Sequence, residues 1–280
     1  MTRLPSHAAR CRQGAILTQA SPGRVSRSSK GPCDADAQTA IGRGYAERVI
    51  LGPPREDPVL LTHRPQVLSW DRADTWAQQR LVPYRDEIAA RLGPTVASLG
   101  AVAFDLSIGF GPTSDLEVVG DLDNYLAPVA EALGRDRIVA AWGSKDTGQS
   151  STLAVGSPRN LAPDALADFQ HATVRTRSST ATNAWKAEIA SQLSHLMPLP
   201  STGAVELVAG FRVGPGRAWL NLWKPAIDAL GRILGPGPRQ WHPRDGRVTR
   251  LGMSVARDAA LGWDVEIDYW WRSVPWPDAR

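Results

Sequence analysis

Between Gly100 and Phe110 the chain reads GAVAFDLSIGF, and Val102, Phe104, Leu106 and Ile108 fall on alternate positions. That period of two predicts a strand over Ala101 to Ile108 with one face in a core. Upstream, Ile88 and Leu92 are four apart, the spacing of one helical face, which predicts a helix from Trp76 to Leu92 with Pro83 inside it. Downstream, GDLDNYLAPVAEALG (Gly120 to Gly134) reads as a capped apolar helix, and RIVAAWGSK (Arg137 to Lys145) as a further strand. Near the C-terminus, DVEIDYWW places Val265, Ile267 and Tyr269 against Asp264, Glu266 and Asp268. This predicts a half-exposed antiparallel strand with an acidic outer face and one of Trp270 and Trp271 in the core.

The same order of elements recurs. RDEIAARL (Arg85 to Leu92) is echoed by KAEIASQL (Lys186 to Leu193), and Gly109-Phe110 by Gly210-Phe211. Asn124, at the head of the apolar helix, is echoed by Asn221 in WLNLWKPAIDALG, and a strand RVTRLGMSVAR (Arg247 to Arg257) follows. The second copy predicts a helix over Ala184 to Leu196 and a strand over Val205 to Val213. Matches in one order at near-constant spacing indicate an internal duplication, and two copies fit a fused pseudo-dimer better than a solenoid. The expected fold class is mixed α/β (α+β). The division is a disordered leader over 1–57, a first repeat over 58–157, a linker over 158–182, a second repeat over 183–273 and a tail over 274–280. PDALADFQ within the linker reads as a short helix begun by Pro163.

The chemistry concentrates at DLDN. On extended backbone Asp121 and Asp123 would share a face, with Leu122 turned to the core and Asn124 capping the helix. Paired carboxylates of this kind bind hard divalent cations such as Mg²⁺, which can activate water beside a phosphodiester. Asp and Asn before a helix also serve as caps and suit the positive end of its dipole, so these residues alone leave both readings open.

D-x-D-N, an apolar helix ending in D/E-A-L, then an acid and a strand, resembles the RusA family of Holliday junction resolvases. The resemblance implies a small dimeric endonuclease that cuts four-way DNA junctions with Mg²⁺, three aspartates holding the metal and a lysine near the scissile phosphate. It covers about 45 residues of each copy here, by count of the matched stretch. In the first copy Asp121, Asp123 and Asn124 match and Glu131-Ala132-Leu133 ends the helix, while Ala127 replaces the lysine. Asp136 lies nearest the third acid, and Lys145 near a late basic position from which it would reach phosphate or the attacking water. In the second copy Ala218 and Leu220 replace the leading acids, whereas Asn221, Lys224, Asp228-Ala229-Leu230 and Asp245 match. Neither copy is complete. The resemblance implies a site built within one half, so Asp121, Asp123 and Asp136 are the expected metal ligands, with Lys145 as helper. The expected function is a Mg²⁺-dependent endonuclease acting on branched DNA in recombination and repair. A DNA-structure binder without catalysis is the alternative.

Composition adds limits. The chain has 280 residues with a net charge of +4, which suits an anionic partner without requiring one. Met1 to about Pro58 mixes Ser, Gly, Pro and Arg without period, hence the expected disorder. GPGPRQWHPRDGR (Gly235 to Arg247) is a basic loop whose Arg239, Arg244 and Arg247, with Lys224, are candidate DNA-backbone contacts. The 11 tryptophans are mostly expected in cores, with base stacking as the other use. Cys11 and Cys33 fit neither a zinc nor a redox motif, and GPGR does not fit a phosphate loop. No apolar run approaches the ~18 residues of a membrane span, and no secretory signal is visible, so a cytoplasmic protein is expected.

Overall fold

The computed structural model describes residues 49–68 and 75–277. Cys11, Cys33 and most of the expected leader lie outside them. In chain order the elements are β1 (Leu51–Gly52), β2 (Val59–Leu60), α1 (Trp76–Ser98), β3 (Val102–Gly109), α2 (Leu122–Leu133), β4 (Ile138–Asp146), β5 (Thr152–Gly156), β6 (Arg159–Asn160) and β7 (Gln170–Thr176). There follow α3 (Asn183–Gln192), β8 (Ala204–Val213), α4 (Trp223–Asp228), α5 (Gly231–Leu234), β9 (Pro236–Arg239), β10 (His242–Pro243), β11 (Val248–Arg257) and β12 (Val265–Val274).

Eight strands form one mixed sheet in the order β2-β5-β3-β4-β11-β8-β12-β7. β3 and β4 are parallel, joined through α2, and β8 and β11 are parallel, joined through α4 and α5. β5 lies antiparallel to β3, and β12 antiparallel to β8. At the centre β4 and β11 run antiparallel, with Gly252 opposite Trp142. The order therefore reads alike outward from the β4–β11 seam.

Both sheet faces are covered, and this decides several positions. α1, α2, α3 and α4 build the larger core with Phe104, Leu126, Trp185, Phe211 and Trp271. On the other face Ile50, Trp142 and Trp270 form a second cluster joined by Leu161, Leu166 and Phe169. Trp270 and Trp271 are consequently both buried, each in its own core. Asp268, expected outside, is also buried, and its carboxylate accepts from Thr173 Oγ1 at 2.5 Å. The cover on that face is made by stretches expected to be irregular. Leu51–Gly52 pairs with Arg159–Asn160, and Gln170–Thr176 adds the edge strand against β12. Thus residues 49–57 and 158–182 belong to the folded body. Gly210 makes room for this cover, because a Cβ there would meet Ile50 Cδ1 at 2.3 Å. Pro163 does open a 3₁₀ turn, Pro163–Leu166.

Two glutamates on the first helices of the two halves do the same work. Glu87 on α1 accepts from the Thr62 N–H and hydroxyl, both at 2.7 Å, and from the His63 N–H at 2.8 Å. Glu188 on α3 accepts from the Thr176 hydroxyl, from the Ser178 hydroxyl at 2.5 Å and from the Arg177 N–H at 3.1 Å. Burial pushes the Glu87 carboxyl up, but the donors at Thr62 and His63 outweigh it and hold the group at about 2. The Ser178 and Thr176 hydroxyls bring Glu188 to about 2 as well. A carboxylate lowered on folding stabilises the fold above its unfolded value, and that contribution fades as pH falls towards about 2. Glu87→Gln should therefore cost about 1–2 kcal/mol at pH 7, after allowance for screening, and much less near pH 2. Urea denaturation at both pH values checks this, and an equal loss at each would contradict it.

Candidate functional site

α2 begins earlier than the Asn cap predicts. Asp121, on extended backbone, is the N-cap residue, and Leu122 opens the helix fully buried. Asp and Asn cap equally well, and the first apolar residue that reaches the core decides between them. Asp121 and Asp123 are therefore not two extended residues; Asp121 precedes the helix and Asp123 lies in its first turn. Asn124 donates from Nδ2 to Asp121 Oδ2 at 3.3 Å. Pro128 has no N–H for the Asn124 carbonyl four residues back, and Leu68 N–H supplies the donor at 2.9 Å.

The partner of these acids comes from the other half of the chain. Lys224, in the first turn of α4, places Nζ 3.2 Å from Asp121 Oδ2, 3.0 Å from Asp245 Oδ2 and 3.1 Å from Asp228 Oδ1. Asp228 Oδ2 also accepts from Lys186 Nζ at 2.7 Å. Asp245 opens the 3₁₀ turn Asp245–Arg247 that leads into β11. Gly246 is needed there, since a Cβ would sit 2.0 Å from the Glu117 carbonyl oxygen. Lys145, at the end of β4, is buried and ties the two halves of the site. Its Nζ donates to the Gly120 carbonyl at 3.0 Å and the Gly246 carbonyl at 2.6 Å.

The cluster is electrostatically tense. Asp123 is 4% exposed, and its Oδ1 has no hydrogen-bond partner. Burial raises its carboxyl to about 7 despite Lys224, with Asp121 and Asp245 adding to the rise. Asp245 is raised to about 6 by burial, with Lys224 opposing and the neighbouring Asp121 adding to the rise. Burial alone would lower Lys224; Asp123, Asp245, Asp121 and Asp228 reverse this and hold the ammonium firmly protonated. Burial brings Lys145 down to about 8 against the pull of Asp121 and Asp245. A cavity of about 470 Å³ opens beside the cluster, lined by Asp123, Asn124, Ala127, Asn221, Trp223 and Lys224 among others.

Set against the expected residues, the structure keeps Asp121 and Asp123 together and exchanges the rest. Asp136 is exposed in the turn Arg135–Arg137, and among the described residues no hydrogen bond or ion pair links it to Asp121 or Asp123. Asp245 lies beside Asp121 instead, joined to it through Lys224, so this cluster draws on both stretches of the chain. Lys145 is a buried tie between backbone carbonyls, and phosphate could not reach it as placed. Lys224 is held in the acidic cluster, with its side chain partly exposed at the cavity. Arg247 is fully buried on main-chain carbonyls, and Arg244 grips Glu117 through Nε at 2.8 Å and Nη2 at 2.9 Å. Of the proposed backbone contacts, Arg239 alone is exposed. The sequence missed Asp228 and Lys186 as members of the network; the signal for them was the matched positions of Arg85 and Glu131, which are also ion-paired.

Asp121, Asp228 and Asp245 pair with Lys224, and Asp123 lies close enough to add to its charge environment. Among the described residues no three His, Cys, Asp or Glu side chains are already gathered as a metal cage. Here the carboxylates surround an ammonium. No helix of the described residues is long and apolar enough to cross a membrane. No family model matches the chain, and a search of curated proteins finds no match.

Proposed function

We propose that the chain is a RusA-like pseudo-dimer fused in one polypeptide and acts as a Mg²⁺-dependent, structure-selective DNA endonuclease. One observation carries this reading. The residues that each half lacks are supplied by the other at one place: Asp121 and Asp123 from the first, Lys224 and Asp245 from the second. Two halves that had merely decayed would have no reason to leave a complementary set in contact.

The duplication is supported by more than strand order. Arg85–Glu131 and Lys186–Asp228 pair at matched positions, Glu87 and Glu188 hold matched loops, and Tyr84 and Trp185 are matched and fully buried. Asp121, Asp123 and Asp245 would hold the metal; the unpartnered Oδ1 of buried Asp123 and the all-oxygen donor set suit it. Bound there, Mg²⁺ supplies positive charge to the phosphodiester and lowers the pKa of water. Lys145 positions the site by tying the loop before α2 to the turn before β11. With a metal held by these acids, Lys224 would lie beside the cavity, where an ammonium can meet phosphate.

The second reading, a DNA-structure binder without catalysis, is favoured by Lys224 itself, which already neutralises the acids. Incubation with a synthetic four-way junction separates the two. The enzyme predicts nicking that needs Mg²⁺ and falls about 100-fold or more in Asp123→Asn. Tight binding without nicking by either protein would establish the binder. Absence of binding even at low salt, where phosphate contacts are strongest, would remove both.

A further inference from the structure

Each residue of the site has a counterpart across the β4–β11 seam, and the counterparts differ in kind. Where Asp121 and Asp123 stand in one half, Ala218 and Leu220 stand in the other. Ala127 faces the cavity at the position matched to Lys224, and Asp136 is exposed where Asp245 is buried. The polar groups that remain there satisfy one another: Arg135 Nη2 donates to Asn221 Oδ1 at 2.7 Å, and its guanidinium lies 3.7 Å from Glu131. No orphaned carboxylate is left on that side among the described residues lining the cavity. On the intact side Asp123 is 4% exposed, lines the cavity and keeps an unpartnered Oδ1.

We propose that the chain has a single hydrolytic site and nicks one strand of its substrate per binding event, leaving the opposing strand whole. This rests on the endonuclease reading above. In the step a water oxygen bonds to phosphorus and one phosphodiester P–O bond breaks. Of the two water protons, one ends on the leaving oxygen and the other stays on the new phosphate or passes to solvent. No oxidant or reductant is involved. A symmetric dimer brings two sites to two strands, whereas this fused chain retains the fold's two-sidedness for gripping DNA and its chemistry on one side.

The test uses a supercoiled plasmid that extrudes a cruciform, with DNA in excess so that each molecule carries at most one chain, and Mg²⁺ present. Nicked circles should accumulate, and linear DNA should appear only later, at the rate of independent second encounters. Linear product formed together with the first nick would overturn the single-site inference and leave the nuclease reading intact. Absence of any Mg²⁺-dependent product would overturn the nuclease reading and the inference with it. An independent readout is Mn²⁺ binding followed by electron paramagnetic resonance on the full chain. Saturation at one ion class that Asp123→Asn abolishes supports the inference. A second class that survives in Asp123→Asn and is lost in Asp136→Asn would overturn it.

Discussion

Arg247→Ala should destabilise the protein by about 3–5 kcal/mol, because several buried carbonyls lose a charged donor at once and each unsatisfied group costs about 1–3 kcal/mol before relaxation. The side chain is fully buried, and its guanidinium donates to four carbonyls: Gly203 at 3.0 Å, Leu234 at 3.1 Å, Pro200 at 2.7 Å and Thr202 at 3.1 Å. These carbonyls belong to the segment entering β8 and to the end of α5, so one planar fork ties both to the turn bearing Asp245. Alanine would leave these carbonyls without their donor. Lysine should not rescue, because one ammonium cannot reproduce the spread of donors. Arg239→Ala offers the contrast. Its side chain is exposed, so stability should change by less than about 0.5 kcal/mol. If Arg239 meets the DNA backbone, its loss lowers affinity across sequences and reduces the salt slope by about one. Urea denaturation and salt-dependent binding of both variants decide the matter. An Arg247→Ala protein of native stability with weakened DNA binding would restore Arg247 to the DNA-contact role read from the loop's basic composition.

The contrast between Arg247 and Arg239 marks where sequence reasoning ran out. Both lie in one basic stretch, and composition cannot tell a guanidinium that solvates from one that staples carbonyls. Patterns carried by local physics were legible. Val102 to Ile108 alternate because β3 has distinct faces, and the Glu87–Ile88 and Glu188–Ile189 matches located both first helices. The start of α2 was misplaced because Asp121 and Asn124 are equally good caps, and only the burial of Leu122 chooses. The exposure of Asp268 and the extent of the leader were misjudged for one reason: the second sheet face is covered by 49–52 and 159–169, whose short apolar runs have no period. The site was half legible. D-x-D-N marked Asp121 and Asp123, but which turn meets them is set by the antiparallel β4–β11 seam, formed by strands more than 100 residues apart. Asp245 was matched to the third acid of the second copy, and the structure sets it beside Asp121 of the first through Lys224.

Lys224→Met should lower stability by roughly 2–3 kcal/mol at pH 8, and millimolar Mg²⁺ should recover a large part of the loss. A value below the ~3–5 kcal/mol of a broken buried ion pair applies because the Lys224 side chain is 39% exposed and partly screened. Methionine keeps most of the packing, so the difference reports charge. Without the ammonium, Asp121 and Asp245 face each other with Asp123 buried beside them, while Asp228 retains Lys186. Asp123 at about 7 and Asp245 at about 6 are raised even with Lys224 present, so both would rise further. A carboxyl raised on folding contributes stability below its unfolded value and loses it as pH climbs through the folded one. The variant should therefore be nearly native at pH 4 and weakest at pH 8. Mg²⁺ enters because the vacated point is bounded by carboxylate oxygens, and an ion that binds only the folded chain stabilises it by mass action. Denaturation at both pH values, with and without Mg²⁺, gives three distinct results. Loss with rescue means the acids form a cation site that the lysine merely fills. Loss without rescue makes Lys224 a structural counter-ion and moves the balance to the non-catalytic binder. No loss at pH 8 would mean the four carboxylates do not depend on the ammonium, and the electrostatic account of the site would fall.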